Sequence, residues 1–167
     1  GHCQAVVCLN DSWDAGIVDS MRANGCPVRV VGKAALVSGV GLVKLFRWLQ
    51  RERFERAVTL LFYADVLGRP LARAAGVPRL VTYIQARNTN YSAWQRWLVR
   101  KTIPLADRVV VCSGFLGEYA VQAEGPTVDQ IRVIPHGISM NGSKAYKDSQ
   151  ALRSEFNIPA GSPLVGS

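Results

Sequence analysis

The sequence is poor in metal ligands. It has two histidines and four cysteines in 167 residues. His2 and His136 stand far apart, and the cysteines at 3, 8, 26 and 112 show no CxxC spacing. This pattern gives no metal-ligand set, and four thiols are too few to staple a chain of this length. They read as reduced, mostly buried thiols of a cytoplasmic protein. No apolar run reaches the roughly 18 residues that a membrane-spanning helix needs. The opening Gly1-His2-Cys3-Gln4 has no basic n-region and no long apolar h-region, so no signal peptide is expected there. Acidic residues are also scarce: Asp and Glu number 12 against 20 Lys and Arg, a net charge of +8. Between Asp65 and Asp107 there is no acid, while Arg69, Arg73, Arg79, Arg87, Arg96, Arg100 and Lys101 fall in that stretch. A stretch of one sign is either a solvated basic face or a contact for an anionic partner: a phosphorylated substrate, an acidic membrane surface or nucleic acid. A complete dinucleotide fingerprint is missing as well. In Gly39-Val40-Gly41-Leu42-Val43-Lys44 the place of the third glycine is taken by Lys44, and no clear strand precedes it, so the segment reads as a helix start.

Apolar side chains, by contrast, are plentiful. They make up 49% of the residues against 19% charged, which excludes a disordered chain. Short β-branched runs predict strands at 5–9, 27–31, 56–63, 80–84, 108–112 and 131–134. Helical spacing lies between them: Ile17, Val18 and Met21; about 40–55; 66–75, closed by Gly76 and Pro78; 92–105; and a helix capped by Ser113 and closed by Gly125-Pro126. Strands alternating with helices form βαβ units, and these build a parallel sheet with helices on both faces. Ligands bind such sheets beyond the carboxyl ends of the strands. The loops of interest therefore follow Leu9, Tyr63, Ile84, Cys112 and Ile134. Beyond His136 the texture changes to turn residues, a short helix around 149–156, and a strand-like end at 163–167.

The most polar of these loops is Gln85-Ala86-Arg87-Asn88-Thr89-Asn90-Tyr91. Arg87 can hold a phosphate or carboxylate in two-pronged fashion. Asn88 and Asn90 can read hydroxyl groups, as sugar recognition requires, although Asn is also an ordinary turn residue. Ser113, His136 and Gly137 lie at other strand ends and are secondary candidates. Two helices combine basic residues with tryptophan. In the first, Leu42, Leu45, Phe46 and Leu49 share one side, with Lys44, Arg47 and Arg51 on the other and Trp48 beside them. The second carries Trp94, Arg96, Trp97 and Arg100. Either is an ordinary amphipathic helix or a contact with an anionic bilayer, in which case Arg47, Trp48, Arg51, Arg96 and Arg100 would face the membrane. Neither a Ser-His-Asp set nor a pair of carboxylates can be specified, so no catalytic residue is assigned.

Three segments together carry a resemblance: Val77-Pro78-Arg79-Leu80-Val81-Thr82, Ala106-Asp107-Arg108-Val109-Val110-Val111-Cys112-Ser113, and Ile131-Arg132-Val133-Ile134-Pro135-His136-Gly137-Ile138-Ser139. In order and spacing they resemble GT-B glycosyltransferases of family 4, with His136 where an Asn is usual and Ser139 where an Asp is usual. The start, Gly1-His2 before Val6-Val7, and Leu152-Arg153 before Ile158-Pro159 are similar to that family too. The resemblance implies a Rossmann-like three-layer α/β/α domain, with residues 1–140 as the N-terminal, acceptor-side domain. It further implies an interdomain linker at 141–161 and the start of a donor domain at 162–167. It places the strands in the order 3-2-1-4-5-6, with the family's first strand absent from this chain. The implied activity is retaining hexosyl transfer from a nucleotide-sugar, a substrate held mainly by the donor domain, to a glycan, lipid or small acceptor. No cofactor, metal or nucleic acid is implied, and the chain alone is expected to be inactive. Cytoplasmic residence, peripheral at the inner face of the membrane, follows if the basic helices touch lipid. The alternatives are a non-catalytic basic membrane-surface module and another Rossmann-like nucleotide-sugar enzyme such as an epimerase.

Overall fold

The computed structural model describes residues 4–9, 14–137, 153–159 and 162. The chain divides into two compact units, Gly1–Pro135 and His136–Ser167. In the second, the backbone is helical at residues 153–155 and turns at Asn157, where φ is +51°. The guanidinium of Arg153 donates to the carbonyls of Pro159 and Ser162, 2.9 Å each. The remainder of the expected helix at 149–156, and the expected strand at 163–167, lie outside the described residues.

The first unit is an alternating α/β domain: β1 (Val6–Cys8), α1 (Ala15–Ala23), β2 (Val28–Val30), α2 (Lys33–Val37), α3 (Val40–Glu52), β3 (Arg56–Leu60), α4 (Leu61–Tyr63), a π-helical turn (Ala64–Gly68), α5 (Arg69–Ala74), β4 (Arg79–Ile84), α6 (Ala93–Thr102), β5 (Arg108–Val111), α7 (Gly114–Ala123) and β6 (Ile131–Val133). Every strand pair is parallel. The expected single sheet is divided, however: β1 pairs with β2, and β3-β4-β5-β6 form a separate sheet. The division falls between β1 and β3. Among the described residues Cys8, Cys26 and Cys112 are free thiols.

Alternation along the strands sets the core. Leu80, Thr82 and Ile84 of β4 and Val109 and Val111 of β5 are buried on one face of the larger sheet. Ile103, Ala106, Leu116 and Ala120 pack against its carboxyl-end half, and Ala72 and Val77 against Leu80 at the amino end. The opposite face is more open, with Val58 and Leu60 exposed. The glycines of the 39–44 segment serve the helix start. Gly39 takes φ +74° as the residue before α3, and a Cβ on Gly41 would meet Val31 Cγ1 at 2.6 Å. Where 56–63 reads as one strand, β3 stops at Leu60. Leu61 adopts φ +68° and the chain turns directly into the helical segment that carries Asp65.

Asp107 ties the amino ends of β4 and β5 together. Its backbone N–H donates to the Leu80 carbonyl (2.8 Å), and its Oδ2 accepts from the Leu80 N–H (2.6 Å). Its Oδ1 lies 2.7 Å from Arg73 Nη2. The Leu80 N–H, followed by Arg73, holds this carboxyl below the usual carboxylate range. Because the folded form binds the proton less readily than the unfolded chain, the stabilisation is present above the unfolded pKa of about 4. It is lost as pH falls through the lowered folded value. Asp107→Ala should therefore cost about 1–2 kcal/mol at pH 7, discounted for a side chain that is partly exposed. Urea midpoints of wild type and variant at pH 7 and pH 3 check this, the gap being expected to shrink at pH 3.

Candidate functional site

Beneath the β4–α6 loop lies a buried polar cluster in the middle of the sheet. Thr59 and Thr82 are register partners on β3 and β4, so their hydroxyls meet at 2.9 Å. Arg69 is 0% exposed; its Nε donates to Thr82 Oγ1 (2.8 Å) and its Nη1 to Thr102 Oγ1 (3.1 Å). Asp65, 4% exposed, stands one helical turn earlier, across the π-helical turn, with Oδ1 3.1 Å from Arg69 Nη2. That approach is off the hydrogen-bonding direction, and neither atom has a hydrogen-bond partner among the described residues. The cluster thus runs from Asp65 through Arg69 to the paired hydroxyls of Thr82 and Thr59.

Glu124, at the end of α7, is 2% exposed. Its Oε1 accepts from Asn88 Nδ2 at 2.7 Å. Arg69 pairs with Asp65 and acts on Glu124 only at longer range. Burial raises the pKa of both Asp65 and Glu124, which Arg69 opposes for each. Burial lowers the pKa of Arg69, and Asp65 and Glu124 oppose this. The Tyr91 phenol, half-buried beside this cluster, is pushed up to about 12, chiefly by burial and then by Glu124 and Asp65, so it stays neutral.

The loop itself is held along its length. The Arg87 guanidinium lies over Phe115 (5.6 Å) and Tyr119 (5.1 Å), both on α7. Among the described residues no carboxylate pairs with it. The Tyr91 ring packs on Phe62 (5.4 Å), which also meets Tyr63 (5.5 Å) and Trp94 (5.8 Å). Asn90 is exposed between these anchors. Ser92 then opens α6 with a capping box closed by Gln95. Of the sequence candidates, the structure brings Arg87, Asn88 and Asn90 together on one loop at the carboxyl end of β4. Ser113 caps α7, its Oγ accepting from the Leu116 N–H at 3.2 Å. His136 and Gly137 belong to the second unit.

The basic stretch is divided by the fold. Arg69 is in the core. Arg73 donates to the carbonyls of Leu105, Val77 and Pro78. Arg100, although exposed, donates to the carbonyls of Gln122 and Ala123 at the end of α7. Trp48 is half-buried, with Phe54 at 4.9 Å and the Arg29 guanidinium at 4.8 Å. Arg47, Arg51 and Arg96 are exposed. Trp94 and Trp97 are 59% and 58% exposed, with Lys101 Nζ 5.8 Å from the Trp97 ring. No helix of the described residues is long and apolar enough to cross a membrane. No group of three or more His, Cys, Asp or Glu among them could hold a metal ion. Sequence reading missed Asp65, Arg69 and Glu124. An Asp–Arg pair at i,i+4, facing threonines on neighbouring strands, was the available signal for the first two.

A parallel α/β domain with its polar loop at the carboxyl ends of the strands is the Rossmann-like architecture of GT-B glycosyltransferases. HepE of Anabaena, solved with UDP and glucose and also with UDP, has this fold: each structure matches at a TM-score of 0.65 and 16% identity over 92% of this chain and 50% of that one. The chain thus spans about half the length of that solved relative. No curated protein matches it. The profile described as Glycosyltransferase Family 4 matches residues 1–141, and the chain belongs to that family. Membership of that family sets aside the epimerase reading.

Proposed function

We propose that this domain is the acceptor side of a retaining hexosyltransferase, and that the β4–α6 loop receives an anionic, hydroxyl-bearing acceptor. The observation that carries this reading is Arg87: a guanidinium clamped by two aromatic rings, with no carboxylate partner among the described residues, at the carboxyl end of a parallel strand. Such a cation is fixed in place while its N–H groups stay available to a phosphate or carboxylate. Asn90 supplies a donor and an acceptor for hydroxyl groups beside it. HepE was solved with UDP and glucose, so UDP-sugars are the first donors to try. The donor is taken up mainly by the partner domain of a GT-B enzyme, and residues 1–167 alone should give no turnover. Sugar-transfer assays on the whole protein, with a panel of nucleotide-sugars against phosphorylated and uncharged acceptors, test the reading. A preference for uncharged acceptors would sink it.

A second role is favoured by α6. Trp94 and Trp97 are exposed on the helix that also carries Arg96 and Lys101, the combination that suits the headgroup region of an anionic bilayer. In this reading the enzyme is cytoplasmic and sits peripherally on the inner leaflet, with Arg47 and Arg51 of α3 adding attraction. Each basic residue near the surface is worth about 1 kcal/mol. Co-sedimentation with phosphatidylglycerol vesicles should therefore fall as salt rises and fall further when Arg47, Arg51 and Arg96 are all changed to Gln. Tryptophan emission should move to the blue on binding and not in a Trp94→Ala/Trp97→Ala variant. If vesicles fail to capture the protein at low salt, the basic surface is a solvated one. Arg100 is left out of this set because its guanidinium closes α7.

A further inference from the structure

We propose that Glu124 is the positioning residue of the β4–α6 loop: its buried carboxylate clasps Asn88 and so fixes the bearing of Arg87 toward the anion it receives. The proposal rests on the reading of Arg87 as an anion-binding group and adds the residue that holds it in place.

A carboxylate is among the costliest groups to bury, and it is kept only where it is partnered. The end of α7 does not require this one. Helix closure is met by the backbone: the Glu124 and Gly125 N–H groups both reach the Ala120 carbonyl (2.8 and 3.0 Å), and Gly125 takes φ +87°. Nor is Glu124 half of an ion pair, since no cation of the described residues lies within pairing distance of it. Its hydrogen-bonded partner is Asn88, 36 positions earlier in sequence and adjacent to Arg87. The same helix supplies Phe115 and Tyr119 under the Arg87 guanidinium. So α7 grips two consecutive loop residues, one by rings and one by a carboxylate, while Tyr91 is pinned on Phe62 at the far end. The Asn88 NH2 group donates to a carboxyl oxygen of Glu124, which fixes the way the amide is turned. A loop ordered before the ligand arrives loses less freedom on binding.

Hydrogen exchange at residues 85–91 of the 167-residue chain, together with titration by pyrophosphate, tests the clasp. Asn88→Ala and Glu124→Ala should each speed exchange in the loop up to about tenfold, the equivalent of one buried hydrogen bond, with β4 and β5 unchanged. Both should weaken pyrophosphate binding by a similar factor. Glu124→Gln keeps an acceptor oxygen and should restore most of both. Asn88→Ala removes only a half-buried loop side chain, so the test survives if Glu124→Ala does not fold. Loop exchange that is the same in wild type and Asn88→Ala overturns the proposal, as does a Glu124→Gln variant no better than Glu124→Ala. A loop that loosens as expected, in a protein whose wild-type form does not bind pyrophosphate, upholds the clasp and overturns the anion reading of Arg87.

Discussion

Arg69→Met should cost the domain a large part of its stability, about 3–5 kcal/mol or more. Arg69 is fully buried and is the cation facing Asp65 and Glu124 in the middle of the sheet. Breaking a buried pair by deleting one partner costs about 3–5 kcal/mol, because the other charge stays buried without compensation. Here Asp65 is left behind, Glu124 loses a more distant cation, and Thr82 and Thr102 lose a donor as well. Set against a total stability of about 5–15 kcal/mol for a domain, the loss is large. Urea denaturation should give a midpoint far below wild type, or no folded baseline. Neutralising the remaining charges should recover much of it. The combined variant Asp65→Asn/Arg69→Met/Glu124→Gln is expected to exceed Arg69→Met alone, since a site without charge has no desolvation penalty. A single Arg69→Met variant with a midpoint near wild type would show that the cluster contributes little.

The same cluster fixes a pH dependence. Burial raises the folded-state pKa of Asp65 and Glu124, so the folded protein holds these protons more tightly than the unfolded chain. The cost of ionising them is absent below the unfolded value of about 4 and grows as pH rises toward the folded value. Removing the cation that opposes the shift widens that window. Arg69→Met should therefore regain stability as pH is lowered from 7 toward 5. Asp107 works in the opposite sense, being held low by the Leu80 N–H and Arg73. Its contribution persists over that interval, so the recovery can be read on top of it.

The strands were legible because β-branched runs such as Val109-Val110-Val111 lie between turn signals, and so was the parallel arrangement of the larger sheet. The end of β3 was not. Leu60-Leu61-Phe62-Tyr63 is apolar throughout, and a short apolar run does not say where a strand stops and a helix begins. That boundary is set by the positive φ of Leu61, a feature β-propensity does not announce. In the site, Arg87, Asn88 and Asn90 could be placed on one loop from the strand that precedes them. Their division of labour could not, because the partner of Asn88 is 36 positions away and the rings under Arg87 sit on another helix. The basic stretch misled in a similar way. Arg69, Arg73 and Arg100 read like surface cations, and only tertiary contacts assign them to the core, to the carbonyls beyond α5 and to the end of α7.

Arg87→Ala, in the whole enzyme, should raise the KM for a phosphorylated acceptor about tenfold or more while leaving affinity for the nucleotide-sugar almost unchanged. A charge-assisted hydrogen bond contributes about 1.5–3 kcal/mol, and a guanidinium can make two at once. On the proposed reading the donor is held mainly by another domain, so the two affinities should separate. Stability should barely move, because Arg87 is exposed and its links to Phe115 and Tyr119 are contacts worth about 0.5–1 kcal/mol at the surface. Arg87→Lys should recover only part of the loss. An ammonium keeps the charge but cannot stack over the rings as a guanidinium does or offer a planar fork to a phosphate. Affinity for the acceptor should also fall with salt in the wild type and be nearly salt-independent in Arg87→Ala, since screening acts on the charge that the variant lacks. Wild-type acceptor kinetics in Arg87→Ala would reduce the loop to a turn. Full rescue by Lys would mean that charge alone matters and that the two rings of α7 only store the side chain.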